Sequence, residues 1–128
     1  MRKKPLILVA DDSPHIRDAL SARLLQSGFE VASASSANSA IEQFDRRNPD
    51  AAILDVEMAD SDGFAVCEHI RECGSAIPVL ILTGSDSRIL RANLDLLTTT
   101  VGADHFVVKP YDGRTLITML HGLVGDHN

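Results

Sequence analysis

Four apolar runs in this 128-residue chain end abruptly in polar residues that could do chemistry together. The runs are LILVADD at 6–12, AAILDVEM at 51–58, VLILTG at 79–84 and FVVKP at 106–110. Runs of this length that are rich in Val, Ile and Leu are typical of strands buried on both faces of a parallel sheet. The polar residues near their ends are Asp11, Asp12, Asp55, Thr83 and Lys109. Because ligands of open α/β sheets bind at the carboxyl ends of the strands, we expect these side chains to share one site.

Three of these residues are carboxylates, and they suggest a metal. Asp11 and Asp12 are adjacent, and neighbouring carboxylates repel each other unless a cation neutralises them. Taken alone, the pair could equally be a solvated loop that caps the following helix. A third carboxylate at another strand end, Asp55, favours a cation site. Mg²⁺ prefers a few carboxylates plus water and phosphate oxygens, so we expect Mg²⁺.

The remaining polar residues favour phosphoryl chemistry at Asp55. Carboxylates form aspartyl phosphates in other phosphotransfer proteins, and the attack depends above all on charge neutralisation. Lys109 can supply a point charge to one phosphoryl oxygen, and Thr83 can donate its hydroxyl to another. Gly84 leaves room for the group to approach the backbone. Each signal is weak alone, but together they predict one phosphoryl-binding site.

The rest of the chain supplies the elements that must position this site. Five helices are predicted. The first runs from the Ser13-Pro14 cap to about 28, and the others run from about 37 to 48, 63 to 74, 85 to 100 and 114 to 123. After the first strand, in the run at 6–12, strands are predicted at 29–34, 51–54, 77–82 and 105–108. Strict alternation of five strands and five helices predicts a parallel sheet with helices on both faces.

Composition excludes several classes of protein. With 45% hydrophobic and 23% charged residues the chain can bury a core, and its length suits one domain. A net charge of -6 argues against direct nucleic-acid binding. No run is long enough to span a membrane, and the basic start runs directly into Asp11, so we expect a cytoplasmic protein. Cys67 and Cys73 lack a zinc motif, and His69 shows no ligand spacing, so we expect two reduced thiols.

Over nearly all of its length the chain resembles the receiver domain of two-component response regulators. The resemblance is carried by Asp11-Asp12, by Asp55 with Gly63 eight positions later, by ILTG at 81–84 and by GADHFVVKP at 102–110. It implies a doubly wound, flavodoxin-like (βα)5 fold whose five-stranded parallel sheet has the order 2-1-3-4-5. It also implies a single receiver domain over 1–128, with no effector domain in this chain.

The resemblance assigns a role to each site residue. Asp55 would accept a phosphoryl group from a sensor histidine kinase, a histidine phosphotransfer protein or a small acyl phosphate. Mg²⁺ would be bound by Asp55, by Asp12 directly, by Asp11 largely through water, and by the backbone carbonyl of Glu57. No other cofactor is implied.

The resemblance also implies how the signal leaves the site. Lys109 would pair with the phosphoryl group, and its bond to Pro110 would be cis. Thr83 would be the switch hydroxyl, and the ring of Phe106 would follow it inward. The face formed by the helix at 85–100, the strand at 105–108 and the helix at 114–123 would then control a downstream effector or a phosphorylation-dependent dimer. Such a protein is a signalling switch, not a turnover enzyme, and catalyses only its own phosphotransfer and dephosphorylation.

Several positions depart from the family pattern. Ala59 stands where a proline is usual, and Asp60-Ser61-Asp62 follows it, so we expect a more mobile loop whose charge affects donor access. Phe106 replaces the commoner tyrosine. The segment between Thr83 and Lys109 is a few residues longer than usual, which predicts an atypical partner or dimer mode. Glu57, two residues after Asp55, could either orient or repel the water that attacks the phosphoaspartate.

Three alternatives stay open at this point. A haloacid-dehalogenase-type phosphatase uses the same Asp, Thr and Lys, and Glu57 has the spacing of its second acid, but Asp11-Asp12 and the short chain disfavour it. A flavodoxin-like cofactor binder would need a phosphate loop after the first strand, and the sequence Asp-Asp-Ser-Pro-His would repel an anion. The third alternative is a receiver-like binding module that works without phosphorylation.

Overall fold

Five parallel strands form one sheet in the order β2-β1-β3-β4-β5. They were located in a computed structural model, which describes residues 4–84 and 102–125. The strands are β1 (Leu6–Ala10), β2 (Glu30–Ala34), β3 (Ala51–Asp55), β4 (Val79–Gly84) and β5 (His105–Lys109). The predicted parallel sheet and its order are confirmed. The strand predicted at 77–82 lies two residues later.

The described residues form four helices, of which three connect strands and the last follows β5: α1 (Pro14–Gln26), α2 (Ala37–Arg47), α3 (Gly63–Glu72) and α4 (Gly113–Val124). Each begins at a side chain that accepts a hydrogen bond from a first-turn N–H, namely Ser13, Ser36, Asp62 and Asp112. The end of α2 is fixed by Asn48, whose backbone is left-handed with φ of 47°. The helix predicted at 85–100 lies outside the described residues.

The two faces of the sheet are buried under different helices. On one face, Ile7 and Val9 of β1 belong to a cluster with Leu20 and Leu24 of α1 and with Leu116 of α4. On the other face, alternate residues of the same strand pack with residues of α2 and α3. Burial on both faces explains why the central strands are continuous apolar runs. No helix in the described ranges is long and apolar enough to cross a membrane.

Strand register brings the chemically active ends together. Asp55 ends β3 beside Leu82, and Gly84 at the end of β4 lies beside Lys109 at the end of β5. Asp11 directly follows β1, and its N–H donates to the carbonyl of Ala34 at 3.1 Å. Because all strands run the same way, these residues lie together at the carboxyl-terminal end of the sheet.

Candidate functional site

Three carboxylates meet at the carboxyl-terminal end of the sheet, as the sequence predicted. Asp11, Asp12 and Asp55 each offer an oxygen, and these oxygens lie within 4.8 Å of one another. Asp11 and Asp55 are only 2% and 7% exposed, whereas Asp12 is exposed to solvent. Carboxylates are held this close in a buried setting only where positive charge compensates them. The cluster therefore favours the binding of a cation.

Asp11 provides the sharpest sign that a ligand belongs here. Its Oδ1 accepts a hydrogen bond from the N–H of Ser13 at 2.9 Å. Its Oδ2 is buried, and among the described residues it has no hydrogen-bond partner. A buried carboxylate oxygen without a donor is costly, and a divalent cation would satisfy it. The donor set, all oxygen and mostly carboxylate, fits Mg²⁺.

Lys109 supplies part of the missing positive charge. Its Nζ donates to Oδ1 of Asp55 at 3.1 Å and lies 3.8 Å from Oδ2 of Asp11. One ammonium group therefore faces two buried carboxylates. The bond that follows, Lys109–Pro110, is cis, as the resemblance implied.

The surroundings of Asp55 raise the pKa of its carboxyl group. Burial raises the pKa of Asp55 above its ordinary value, and repulsion from Asp11 adds to that effect. The hydrogen bond and charge of Lys109 and a backbone hydrogen bond from Glu57 oppose the shift without cancelling it. The site thus favours additional positive charge, which a bound cation would provide.

A cleft of about 320 Å³ opens beside these groups. Its walls include the three aspartates, Gly84 and Lys109, so the predicted site residues other than Thr83 line one space. Glu57 also lines it, while its side chain is exposed to solvent.

The two predicted switch residues, Thr83 and Phe106, do not line the cleft. Thr83 is fully buried and does not line the cleft, and its hydroxyl donates to the carbonyl of Gly84 at 3.3 Å. Phe106 is half-buried, and its ring centre lies 6.2 Å from that of Phe64. Thr83 would have to exchange its partner in order to reach a group bound in the cleft.

The acidic loop after β3 is attached to two helices. The carboxylate of Asp60 accepts hydrogen bonds from the N–H groups of Ala37 and Asn38 at 2.9 and 3.0 Å, at the start of α2. Asp62 caps α3 through the N–H of Ala65 at 2.9 Å. Both charges are thus engaged at helix N-termini, where carboxylates are favoured. The predicted mobility of this loop stays a prediction.

Sequence reasoning missed Arg17. Its Nη1 donates to the backbone carbonyl of Asp11 at 2.8 Å and so helps to fix the residue that follows β1. An arginine in the first turn of a helix is ordinary in a sequence, and nothing in its spacing marked it.

Comparisons with known proteins agree with this arrangement. The family model described as the response regulator receiver domain matches residues 7–121. A probable transcriptional regulator, ycf27, of Galdieria sulphuraria is 39% identical over 91% of this chain and 44% of its own length. The response regulator MprA of Mycobacterium leprae is 36% identical over 92% of this chain and 50% of its own length. The chain therefore spans about half the length of these curated relatives.

A solved structure supports the fold independently. The receiver domain protein from Methanospirillum hungatei, described as CheY-like, superposes with a TM-score of 0.85 over 94% of each chain. Only 22% of the aligned residues are identical, so this likeness shows the fold alone.

Proposed function

This chain belongs to the response regulator receiver domain family, and we propose that it accepts a phosphoryl group on Asp55 and thereby switches a partner or effector. Receiver domains are the phosphorylation-activated switches of two-component signalling. The observation that carries the assignment to Asp55 is its position between Lys109, at 3.1 Å, and the carboxylates of Asp11 and Asp12.

Asp55 is the nucleophile in this proposal. A carboxylate oxygen of Asp55 attacks phosphorus, a new O–P bond forms, and the bond from phosphorus to the donor breaks. The donor is a phosphohistidine of a kinase or phosphotransfer protein, or a small acyl phosphate, and its departing group keeps the electron pair. The protein needs to supply orientation and positive charge, and little covalent chemistry of its own.

Each neighbour of Asp55 has a task in this transfer. Asp11, Asp12, Asp55 and the carbonyl of Glu57 would hold Mg²⁺, which supplies positive charge to the phosphoryl oxygens. Lys109, which donates to the Asp55 carboxylate at 3.1 Å, would pair with the phosphoryl group and add a second positive charge. Acceptors outnumber donors at the site, so the single positive charge of Lys109 alone would not be enough to neutralise it.

The switch follows from the buried hydroxyl of Thr83. In the unphosphorylated protein this hydroxyl is bonded to the carbonyl of Gly84. A phosphoryl oxygen on Asp55 is a stronger acceptor, because it is charged. Thr83 would move toward it, and Phe106 would repack in the space beside Phe64. The output face would include β5, the edge strand of the sheet, whose Val108 is 46% exposed.

The proposal describes a switch and not a turnover enzyme. It includes self-catalysed loss of the phosphoryl group, the cytoplasmic location and a histidine kinase as upstream partner. The family match favours it over the phosphatase and the flavodoxin-like cofactor binder considered above.

Intact-protein mass after incubation with acetyl phosphate and Mg²⁺ tests the proposal. We expect a gain of one phosphoryl group that disappears with EDTA and in Asp55→Asn. Asp18→Asn, which removes an exposed carboxylate of α1, is the matched control and should gain the group like the wild type. An equal gain in Asp55→Asn would overturn Asp55 as the acceptor. No gain in a protein shown to bind Mg²⁺ would overturn a small acyl phosphate as the donor.

A further inference from the structure

A second cluster of metal-binding side chains lies between α2 and α3. Asp45, His69 and Cys73 each offer a ligand atom, and the three atoms lie within 4.8 Å of one another. Nε2 of His69 is 2.8 Å from Oδ1 of Asp45 and 3.6 Å from Sγ of Cys73. The cluster contains a thiol, an imidazole and a carboxylate. This donor set binds transition metals in preference to Mg²⁺.

Helical spacing explains why two of these ligands share one face. His69 lies in α3, and Cys73 is the residue that caps its C-terminus, four positions later. The N–H of Cys73 donates to the carbonyl of His69 at 3.1 Å, which holds the last turn in place. Asp45 comes from the last turn of α2, which is the neighbouring helix. The three residues form no recognisable metal motif in the sequence, because Asp45 is 24 residues away from His69.

The two separations that involve His69 are close to those that a tetrahedral metal requires. With Zn–S near 2.3 Å and Zn–N near 2.0 Å, sulfur and nitrogen ligands lie about 3.5 Å apart, and the observed separation is 3.6 Å. Nitrogen and oxygen ligands lie about 3.3 Å apart, so the 2.8 Å contact between His69 and Asp45 has to widen by about half an ångström. Asp45 has a side chain that is 51% exposed and therefore has room for that movement.

The surroundings support binding in two further ways. The ring of Phe44 lies edge-on to His69 at 5.9 Å and restricts the orientation of the imidazole. A cavity of about 450 Å³ adjoins Asp45 and Cys73, with space for a water molecule as fourth ligand. Cys73 is exposed, whereas Cys67 is fully buried and burial raises the pKa of its thiol to about 11. Cys73 is therefore the cysteine available to bind metal.

We propose that Asp45, His69 and Cys73 form a binding site for a divalent transition metal, with Zn²⁺ as the preferred ion, and that the metal joins α2 to α3. Binding displaces the proton of the Cys73 thiol to solvent, and the neutral imidazole binds through Nε2. The site is separate from the aspartate cluster and does not depend on phosphorylation.

Titration of the reduced protein with Co²⁺ in excess Mg²⁺ tests this proposal, because Co²⁺ reports thiolate ligation by a charge-transfer band in the near ultraviolet. We expect the band to appear at one Co²⁺ per chain and to vanish when Zn²⁺ is added. Cys73→Ser and His69→Gln should abolish it, and Asp45→Asn should weaken Co²⁺ binding about tenfold or more. Circular dichroism verifies that each variant is folded.

Glu68→Gln is the matched control, since it removes an exposed carboxylate from α3 outside the cluster. It should retain the band with unchanged affinity. Absence of the band in the wild type would overturn the site, and so would its persistence in His69→Gln, which would indicate a lone thiol. One Co²⁺ per two chains would overturn a site built within one chain.

Discussion

Gly63, the first residue of α3, lies directly against the backbone of Asp55. A Cβ atom on Gly63 would lie 2.5 Å from the Asp55 carbonyl oxygen and 3.3 Å from the Cβ of Leu54. The N–H of Gly63 donates to the carbonyl of Val56 at 3.1 Å. The loop after β3 therefore returns to the strand it left, and only glycine permits that approach. This contact explains the glycine eight residues after Asp55 in physical terms.

Gly63→Ala should destabilise the protein and disturb Asp55. A Cβ at 2.5 Å from a backbone atom forces the backbone to shift, which costs roughly 1–3 kcal/mol of unfolding free energy. The rate of phosphorylation by acetyl phosphate should also fall, because the nucleophile is displaced. Urea unfolding and intact-protein mass measure the two effects.

The matched control is Gly122→Ala, at an exposed position in the last turn of α4, where a Cβ would meet nothing within 4 Å. It should be neutral or raise the unfolding free energy by about 0.5–1 kcal/mol, because alanine favours helix. Similar losses in both variants would contradict the assigned role of the Gly63 contact.

Removing the charge of Asp55 should stabilise the protein without Mg²⁺. Burial and then Asp11 raise the pKa of Asp55 above 3.8, so its ionised form is less favourable in the folded protein than in the unfolded chain. Below 3.8 the carboxyl is protonated in both states and the penalty is absent. As pH rises through the folded pKa, stability is lost, and Asp55→Asn avoids that loss.

The difference in unfolding free energy between Asp55→Asn and the wild type should therefore grow from acid to neutral pH. Urea unfolding in EDTA across this range measures it, with Asp18→Asn as the exposed-carboxylate control. Added Mg²⁺ should stabilise the wild type and reduce the difference, because the cation binds the ionised carboxylates. A difference that is independent of pH would show that burial of the charge is not its cause.

Lys109→Gln should separate metal binding from phosphoryl transfer. The ammonium group lies 3.1 Å from Asp55 and 3.8 Å from Asp11, so it competes with a cation for the same carboxylates. Its removal should tighten Mg²⁺ binding several-fold while slowing phosphorylation by about 10²-fold, since one source of charge stabilisation is gone. Calorimetric titration measures the affinity for Mg²⁺, and mass spectrometry measures the rate of phosphorylation.

Lys4→Gln makes the same change of charge before β1, at the opposite end of the sheet, and should alter neither value. Weaker Mg²⁺ binding in Lys109→Gln would contradict the competition between Lys109 and the cation.

Most of the site could be predicted because its residues are placed by strand ends. In a parallel sheet, an apolar run that stops at a polar residue fixes both the strand and the position of that residue. Asp11, Asp55 and Lys109 meet in the structure for this reason. The helix caps at Ser13 and Asn48 were equally predictable, since they depend on adjacent residues.

What could not be predicted depends on contacts between distant residues. Asp60 bonds to the start of α2, 22 and 23 residues away, and no local pattern marks that pairing. The same holds for Asp45 beside His69. The partner of the Thr83 hydroxyl depends on packing, because a buried threonine chooses among nearby carbonyls. Arg71 makes further long-range contacts, to Gly102 and Asp104, that no local pattern marks.

Arg71 joins three segments of the fold through one guanidinium group. Its Nε and Nη2 donate to the carbonyl of Gly102 at 3.0 and 2.8 Å. Its Nη1 donates to the carbonyls of Ser75 and Ile77 at 3.0 and 2.8 Å, in the segment before β4. Nη2 also contacts Asp104 at 3.1 Å, just before β5. Arg71 thus holds the beginnings of the two strands that end at Gly84 and Lys109.

Arg71→Lys should lower the unfolding free energy by about 1–3 kcal/mol, because an ammonium group cannot bond to carbonyls on both sides and leaves some of them without a donor. Hydrogen exchange at 106–109 should become faster, since the start of β5 loses its anchor. Arg114→Lys, at an exposed position of α4, is the matched control and should stay within about 0.5 kcal/mol of the wild type. Unchanged exchange in β5 despite lower stability would mean that Arg71 supports only the end of α3. Faster exchange in β5 would establish that a residue remote from the site holds the strand that carries Lys109.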